Sequence, residues 1–275
     1  MGEDMKPVVF SRHECFVPET FGEYEKPTAI HCDVANFEDR TPYRVYVQLE
    51  TLESKSVTEV IANYKFYDRI LAWHESLLAC PNATKLVGQC GPCAGVFAPD
   101  TLSYREDLAK PWSTAPLVAK RFGASLLVSE KQWYPGHKYR HEVYHKLPAV
   151  VGRVPITKHL APPRMAPQPS AEFIAGFQYH IIVEPVFYRD FFTEKLTNSF
   201  LTHTVPIYCG CPSIGEYFNM DGVLRFSNTE ELVRHLRGIV PETYERMLPA
   251  IEDNYERALA YKNVCSRIDK TIAEG

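Results

Sequence analysis

Several features that would classify this chain at once are missing from it. No apolar run in its 275 residues approaches the length needed to cross a bilayer. The opening stretch "MGEDMKPVVFSRHECF" has no hydrophobic signal-peptide segment. Met-Gly begins like a myristoylation site, but residue 6 is Lys rather than Ser or Thr. These absences favour a soluble protein with no membrane span, in a cytoplasmic compartment that keeps its 8 cysteines mostly reduced. A basic excess is also missing: 30 Lys and Arg face 34 Asp and Glu, for a net charge of −4. That excludes wholesale binding of nucleic acid and leaves room for a local basic pocket. Neither G-x-G-x-x-G nor G-x-x-x-x-G-K-[ST] occurs, which argues against a dinucleotide dehydrogenase or a P-loop enzyme.

The cysteines carry two motifs. "QCGPCAG" places Cys90 and Cys93 in thioredoxin-like C-x-x-C spacing, but Pro99 follows and no helix is evident to lower a thiolate pKa. Joined with Cys209 and Cys211, the pair could make a zinc site, yet C-x-C is poor spacing for a zinc ribbon. Free cysteines in turns and core explain both motifs more simply.

What is present alternates. The run "PYRVYVQ" has strand character, "SVTE" (Ser56–Glu59) is a capping box for a helix reaching about Tyr67, and "RILAW" and "KLVGQ" are short strands. A second alternating series starts near Lys120. "ASLLVS" is a strand, and a helix over 136–147 aligns Tyr139, Val143 and Leu147. Residues 161–170 are proline-rich and read as an extended loop. "FQYHIIVE", "VPIYC" and "GVLRF" follow as strands. "SNTE" (227–230) is a second capping box, Pro241 suits a first helical position, and Pro249 should kink the last helix. Strand–helix alternation on both sides implies two doubly wound α/β units, whose ligands bind beyond the carboxyl ends of the strands.

The stretch "DFFTEKLTNSFLTHTVPIYCGC" (190–211) concentrates chemistry at one helix start. Thr193 caps a helix reaching about His203, with Leu196 and Phe200 on one face. Free N–H groups and the helix dipole there favour an anion such as a diphosphate, and Lys195 can reach it. Glu194 beside it suits the two hydroxyls of a ribose. On local physics alone, an ordinary surface Glu–Lys pair accounts for the pattern as well.

From Glu184 to Phe226 the chain resembles the C-terminal domain of family 10 glycosyltransferases, the α1,3/1,4-fucosyltransferases, especially the short bacterial kind. The resemblance rests on "IIVEP", "FFTEKL" and "HTVPIYCGCPSIGEYFN". It extends more weakly to "LLVSEKQWYPGHKYRHEVYHKLPAVVGRV" and loosely to "RVYVQLETLES" and "FYDRILAWHESLL". It implies a GT-B fold: two facing Rossmann-like domains with a cleft, an acceptor-side domain at 1–115, a donor domain at 116–262 and a tail at 263–275.

The resemblance also implies roles. Arg140 becomes the phosphate-binding arginine, with Ser129 and Lys131 on the same edge. Glu184, Phe191, Thr193, Glu194 and Lys195 bind the donor, and Arg140 and Lys195 neutralise the leaving diphosphate. "WHES" aligns with the segment that carries the general base and nominates Glu75, with His74, Asp68 and Glu50 as rivals. Trp73, His74 and Asp68 are acceptor-side candidates, although Trp73 or Tyr64 could equally be core. Such an enzyme is inverting and needs no metal or other cofactor; no Asp-x-Asp occurs.

Two positions depart from the family pattern: Pro185 stands for Asn and Phe191 for Tyr. Both lie near the donor in the family, so GDP-fucose is the default and UDP-xylose the natural alternative. The expected enzyme is viral or bacterial, lacking the anchor and stem of secretory-pathway relatives, and builds a glycan, including one on protein. A catalytically inactive nucleotide-sugar or glycan-binding protein is the remoter reading.

Overall fold

A computed structural model describes residues 5–11, 16, 18–50, 55–88, 120–161, 173–261 and 263–274. The chain forms two compact units, one of Met1–Pro92 with Asn263–Gly275 and one of Cys93–Lys262. The expected boundary at 115/116, Cys90 and Cys93 and most of the proline-rich 161–170 stretch lie outside the described residues.

The first unit is a parallel five-stranded sheet in the order β1 (Val8–Ser11), β2 (Thr28–Cys32), β3 (Tyr43–Val47), β4 (Arg69–Ala72), β5 (Ala83–Lys85). Its two faces separate with the period of two that a pleated strand imposes. Ile30, Cys32, Val45, Val47 and Leu71 point to one core, while Tyr46, Ile70 and Ala72 point to the other. Helices α1 (Lys55–Ala62) and α2 (Glu75–Leu78) cover the second face through Val57, Val60 and Leu77.

The first face is closed from far along the chain. Residues 263–275, expected as a tail, include a helix, Val264–Ala273, whose Val264, Cys265, Ile268 and Ile272 are buried against that sheet. Their spacing is one helical stripe. Asn263 caps this helix by accepting the Ser266 N–H at 3.1 Å. Arg69 donates to the Thr271 carbonyl at 2.7 Å, and Asp269 accepts the Gly22 N–H at 2.8 Å. Strands β1 and β2 were also not expected. The residues of β2, "TAIHC", are buried throughout, so the strand has no polar face to reveal its period.

The second unit holds a six-stranded sheet. In chain order it contains β6 (Arg121–Ser129), α3 (Pro135–Lys146), β7 (Val150–Val151), β8 (Val154–Ala161), β9 (Phe177–Val183), α4 (Glu194–Leu201), β10 (Val205–Cys209), β11 (Leu224–Arg225), α5 (Thr229–Gly238) and α6 (Thr243–Leu259). The strand order is β11-β10-β9-β6-β8-β7, and every pairing is parallel except β7 with β8.

Three local expectations shift. The cap of α5 is Asn228, one residue later than the expected box, with Glu231 accepting the Ser227 N–H at 2.8 Å. Helix α6 starts at Thr243, past Pro241, and continues through Pro249. The inward stripe of α3 is Gly136, His137, Arg140 and Val143, so two polar residues occupy what should be an apolar face. That face looks onto the site.

Candidate active site

Strand β6 lies between β8 and β9, so the chain's direction of travel across the sheet reverses at β6. The carboxyl ends of β6 and β9 at this reversal are where an open α/β sheet binds ligands. Ser129 is the last residue of β6, and Glu184 directly follows β9. Helices α3 and α4 begin just beyond these strands.

Glu184 is 0% exposed, and both its carboxylate oxygens are occupied. Oε1 accepts the Thr193 N–H at 2.9 Å and Oε2 accepts the Thr193 hydroxyl at 2.8 Å. Burial raises its pKa; Lys195 and the Thr193 donors oppose that shift. Named from sequence as a donor-binding residue, Glu184 acts here as the anchor of the α4 cap. Two glycines let it sit so deep. A Cβ at Gly136 would lie 1.9 Å from the Glu184 carbonyl oxygen, and one at Gly210 would lie 2.5 Å from Glu184 Cγ. Either contact is shorter than van der Waals packing permits, and neither requirement is visible in the sequence.

Thr193 is the expected cap of α4. Its Oγ1 donates to Glu184 and accepts the Lys195 N–H at 3.3 Å and Lys195 Nζ at 3.2 Å. One hydrogen given and two received saturate a hydroxyl. Lys195 Nζ also donates to Glu194 Oε1 at 2.8 Å. Both side chains remain partly exposed, so a ligand can reach the pair. The acid and the base shift each other against the opposing effect of burial, Glu194 below the usual carboxylate range and Lys195 above the usual amine value.

The loop into α4 is held by Asp190, which adopts φ 65° and accepts the Ser213 hydroxyl at 2.9 Å and the Tyr217 hydroxyl at 2.6 Å. Aspartate is among the residues that tolerate this left-handed conformation. Phe191, the next residue, is 3% exposed. It packs in the core and offers a ligand no polar group. The Pro185 carbonyl accepts the Gly136 N–H at 2.9 Å, tying α3 to the end of β9.

Arg140 reaches the same end of the sheet. It is 3% exposed, and Nη2 donates to Ser129 Oγ at 3.2 Å. Its Nε has no acceptor among the described residues. Burial lowers its pKa, and the charges of Glu184 and Glu194 oppose that, so it stands near both. An arginine confined this way with a donor left over is suited to a multivalent anion. Lys131 is exposed, with Nζ 5.3 Å from the centroid of the exposed Trp133 ring.

The acceptor-side candidates all lie in the first unit, at different ends of β4. Glu75 opens α2 beyond its carboxyl end and is exposed. His74 caps α2, accepting the Ser76 N–H on Nδ1 at 3.2 Å, and burial lowers its pKa. Asp68 instead precedes β4, accepting the Arg44 N–H at 2.7 Å, which places it at the amino end. Trp73 is 1% exposed and belongs to the core. Glu50 is exposed, and its N–H is bound by Asp33.

Among the described residues no group of three or more His, Cys, Asp or Glu could hold a metal. Cys209 and Cys211 are buried free thiols, and burial pushes Cys209 up to about 12. No helix of the described residues is long and apolar enough to cross a membrane.

No known protein-family profile matches the chain. In an alignment 115 positions long that covers 38% of this chain, it is 28% identical to the α-(1,3)-fucosyltransferase FucT of Helicobacter pylori. It also superposes on a crystal structure of an α1,3-fucosyltransferase with GDP-fucose, with a TM-score of 0.51 and 17% identity, covering 85% of this chain and 76% of that one. Over the matched stretch the chain is similar to an α-(1,3)-fucosyltransferase. Its two parallel α/β units are of the GT-B class, as the resemblance implied. The match spans 24% of the length of the Helicobacter enzyme, about a quarter.

Proposed function

We propose that this protein is an inverting, nucleotide-sugar-dependent glycosyltransferase. The observation that carries the reading is the convergence on one sheet reversal of a buried arginine with an unused donor, a helix-capping threonine and a reachable Glu–Lys pair. Arg140 and Lys195 would hold the donor's diphosphate, aided by the α4 dipole, and Glu194 would accept the ribose hydroxyls. The acceptor oxygen attacks the anomeric carbon as the bond to the diphosphate breaks. The nucleoside diphosphate leaves with the electron pair, and Glu75 takes the acceptor's proton. Two side-chain cations and a helix terminus can neutralise the leaving charge, so no metal is required for the chemistry.

GDP-fucose is the donor that the resemblance favours, and the neighbouring structure contains it. The two departures support a second donor. Pro185 has no amide to offer, and Phe191 buries a ring where the family pattern has a phenol. A donor that makes fewer sugar contacts, such as UDP-xylose, fits these losses.

A thermal-shift screen of GDP, UDP, CDP and their sugars tests the reading without knowledge of the acceptor. A base-selective shift followed by transfer or hydrolysis of the matching sugar nucleotide is expected. Stabilisation with no turnover of any donor would mark a binding protein instead. Stabilisation by none of them would remove the proposal.

A further inference from the structure

The inward face of α3 carries a second polar residue besides Arg140. His137 is one helical turn before Arg140, on the same stripe, and is 5% exposed. Its Nδ1 accepts the Tyr134 N–H at 3.4 Å. A nitrogen that accepts a hydrogen bond carries no hydrogen, so the neutral ring keeps its hydrogen on Nε2. No acceptor for Nε2 exists among the described residues. Like Arg140, His137 is a polar side chain more than nine-tenths buried on this face of the helix that begins beside the sheet reversal.

The surroundings fix the ring's charge. Burial is the largest influence, and Arg140, Lys195, Lys131 and His141 add to it, holding the pKa down at about 4. A charged ring here would add a third cation to Arg140 and Lys195. A neutral imidazole adds a donor without adding charge.

We infer that the Nε2–H of His137 is a third, uncharged ligand to the anionic oxygens of the nucleotide's diphosphate, alongside Arg140 and Lys195. This rests on the function proposed above. It divides the site's labour: the two cations supply attraction, and His137 supplies direction, favouring an oxygen placed in line with one N–H. Its contact strengthens as the leaving oxygen gains charge, so His137 contributes to departure of the nucleotide as well as to binding.

Two near-isosteres separate this role from a purely structural one. Gln can place an amide N–H where Nε2 stands, whereas Asn can only replace the Nδ1 acceptor that receives the Tyr134 N–H. The probes are GDP and UDP, each titrated calorimetrically into wild type, Lys195→Ala, His137→Gln and His137→Asn. Expected is a loss of about 10- to 100-fold in His137→Asn, the scale of one hydrogen bond to a charged group. His137→Gln should stay within about threefold of wild type. Wild-type affinity in His137→Asn, or loss in Gln with retention in Asn, would overturn the inference and leave a helix-capping residue.

If Lys195→Ala loses nucleotide while His137→Asn does not, His137 alone is misassigned. If wild type binds neither GDP nor UDP, the functional reading falls and this inference with it. The ring's ¹⁵N spectrum in unmodified protein is a check that requires no variant to fold. It should show a hydrogen on Nε2 whose proton moves downfield with nucleotide, and an Nδ1–H tautomer would sink the idea.

Discussion

The carboxyl ends of the two sheets are finished differently. In the first unit most of the polar groups there bind one another, and the donor left over, Gln48 Nε2, belongs to an uncharged amide. Asp33 takes the backbone N–H groups of Leu49 and Glu50, Gln48 Oε1 accepts the His74 N–H at 3.2 Å, and His74 closes on Ser76. In the second unit Glu184 is used up by Thr193, but Arg140 Nε is left without an acceptor at the centre of the reversal. A buried, unsatisfied guanidinium nitrogen is expensive, and such a cost persists where a ligand relieves it. On the proposed reading the second sheet edge takes the anion, while the first offers an exposed carboxylate, Glu75.

The largest expected effect tests that division from the first unit. Glu75→Gln should lower turnover by about 10²–10⁴, the range for losing a general base, with nucleotide affinity unchanged. Full turnover in this variant would shift the role to His74, the rival at the same strand end. Next come Lys195→Ala and Arg140→Ala. Each should weaken nucleotide binding by about 2–4 kcal/mol, because one partner of a close charged contact is removed. Calorimetry that finds either variant binding like wild type would erase the contrast between the two sheet edges.

Legibility follows the same division. Thr193, Glu194 and Lys195 could be read because capping and the helix dipole act within one turn of chain. The α4 stripe of Leu196 and Phe200 had the ordinary helical spacing, and both residues are fully buried. Glu184 was found through resemblance, but its work as an anchor was hidden, since it depends on two glycines brought in from α3 and from beyond β10. Strand β2 escaped because burial on both faces removes the alternation that marks a strand, whereas β1 is a four-residue strand, exposed or half-buried throughout, too short to show a period. The C-terminal helix was missed because its four buried residues are interrupted by Ser, Arg, Asp, Lys and Thr, a composition that suits a solvated tail equally well. His137 and Arg140 ran against the usual pattern: two polar residues on a buried face depress the apolar signal that a helix normally shows.

A smaller effect probes whether the Glu184–Thr193 anchor is the foundation of the second edge. Thr193→Val keeps the shape and removes the hydroxyl, leaving one oxygen of a buried carboxylate without a donor. The expected loss is about 1–3 kcal/mol of stability, read by urea denaturation, with Glu184→Gln in the same background recovering part of it. A Val variant as stable as wild type would mean that the backbone N–H of Thr193 satisfies Glu184 by itself.

The gentlest way to sharpen the comparison is pH. Burial lowers His180, whose Nδ1 lies 2.7 Å from Ser125 Oγ, from 6.5 to about 3, and His137 sits at about 4. Between those values and 6.5 the unfolded chain binds protons that the folded second unit refuses. Stability therefore falls as pH drops through that window, by at most about 1.4 kcal/mol per pH unit for each histidine. Glu184, raised by burial, works in the opposite sense and blunts the slope. His180→Asn should flatten the decline in urea midpoint between pH 6.5 and 4.5. A slope unchanged by that substitution would place the proton-sensitive group elsewhere, with His31 of the first unit, itself lowered by burial beside Asp39, next to be tested.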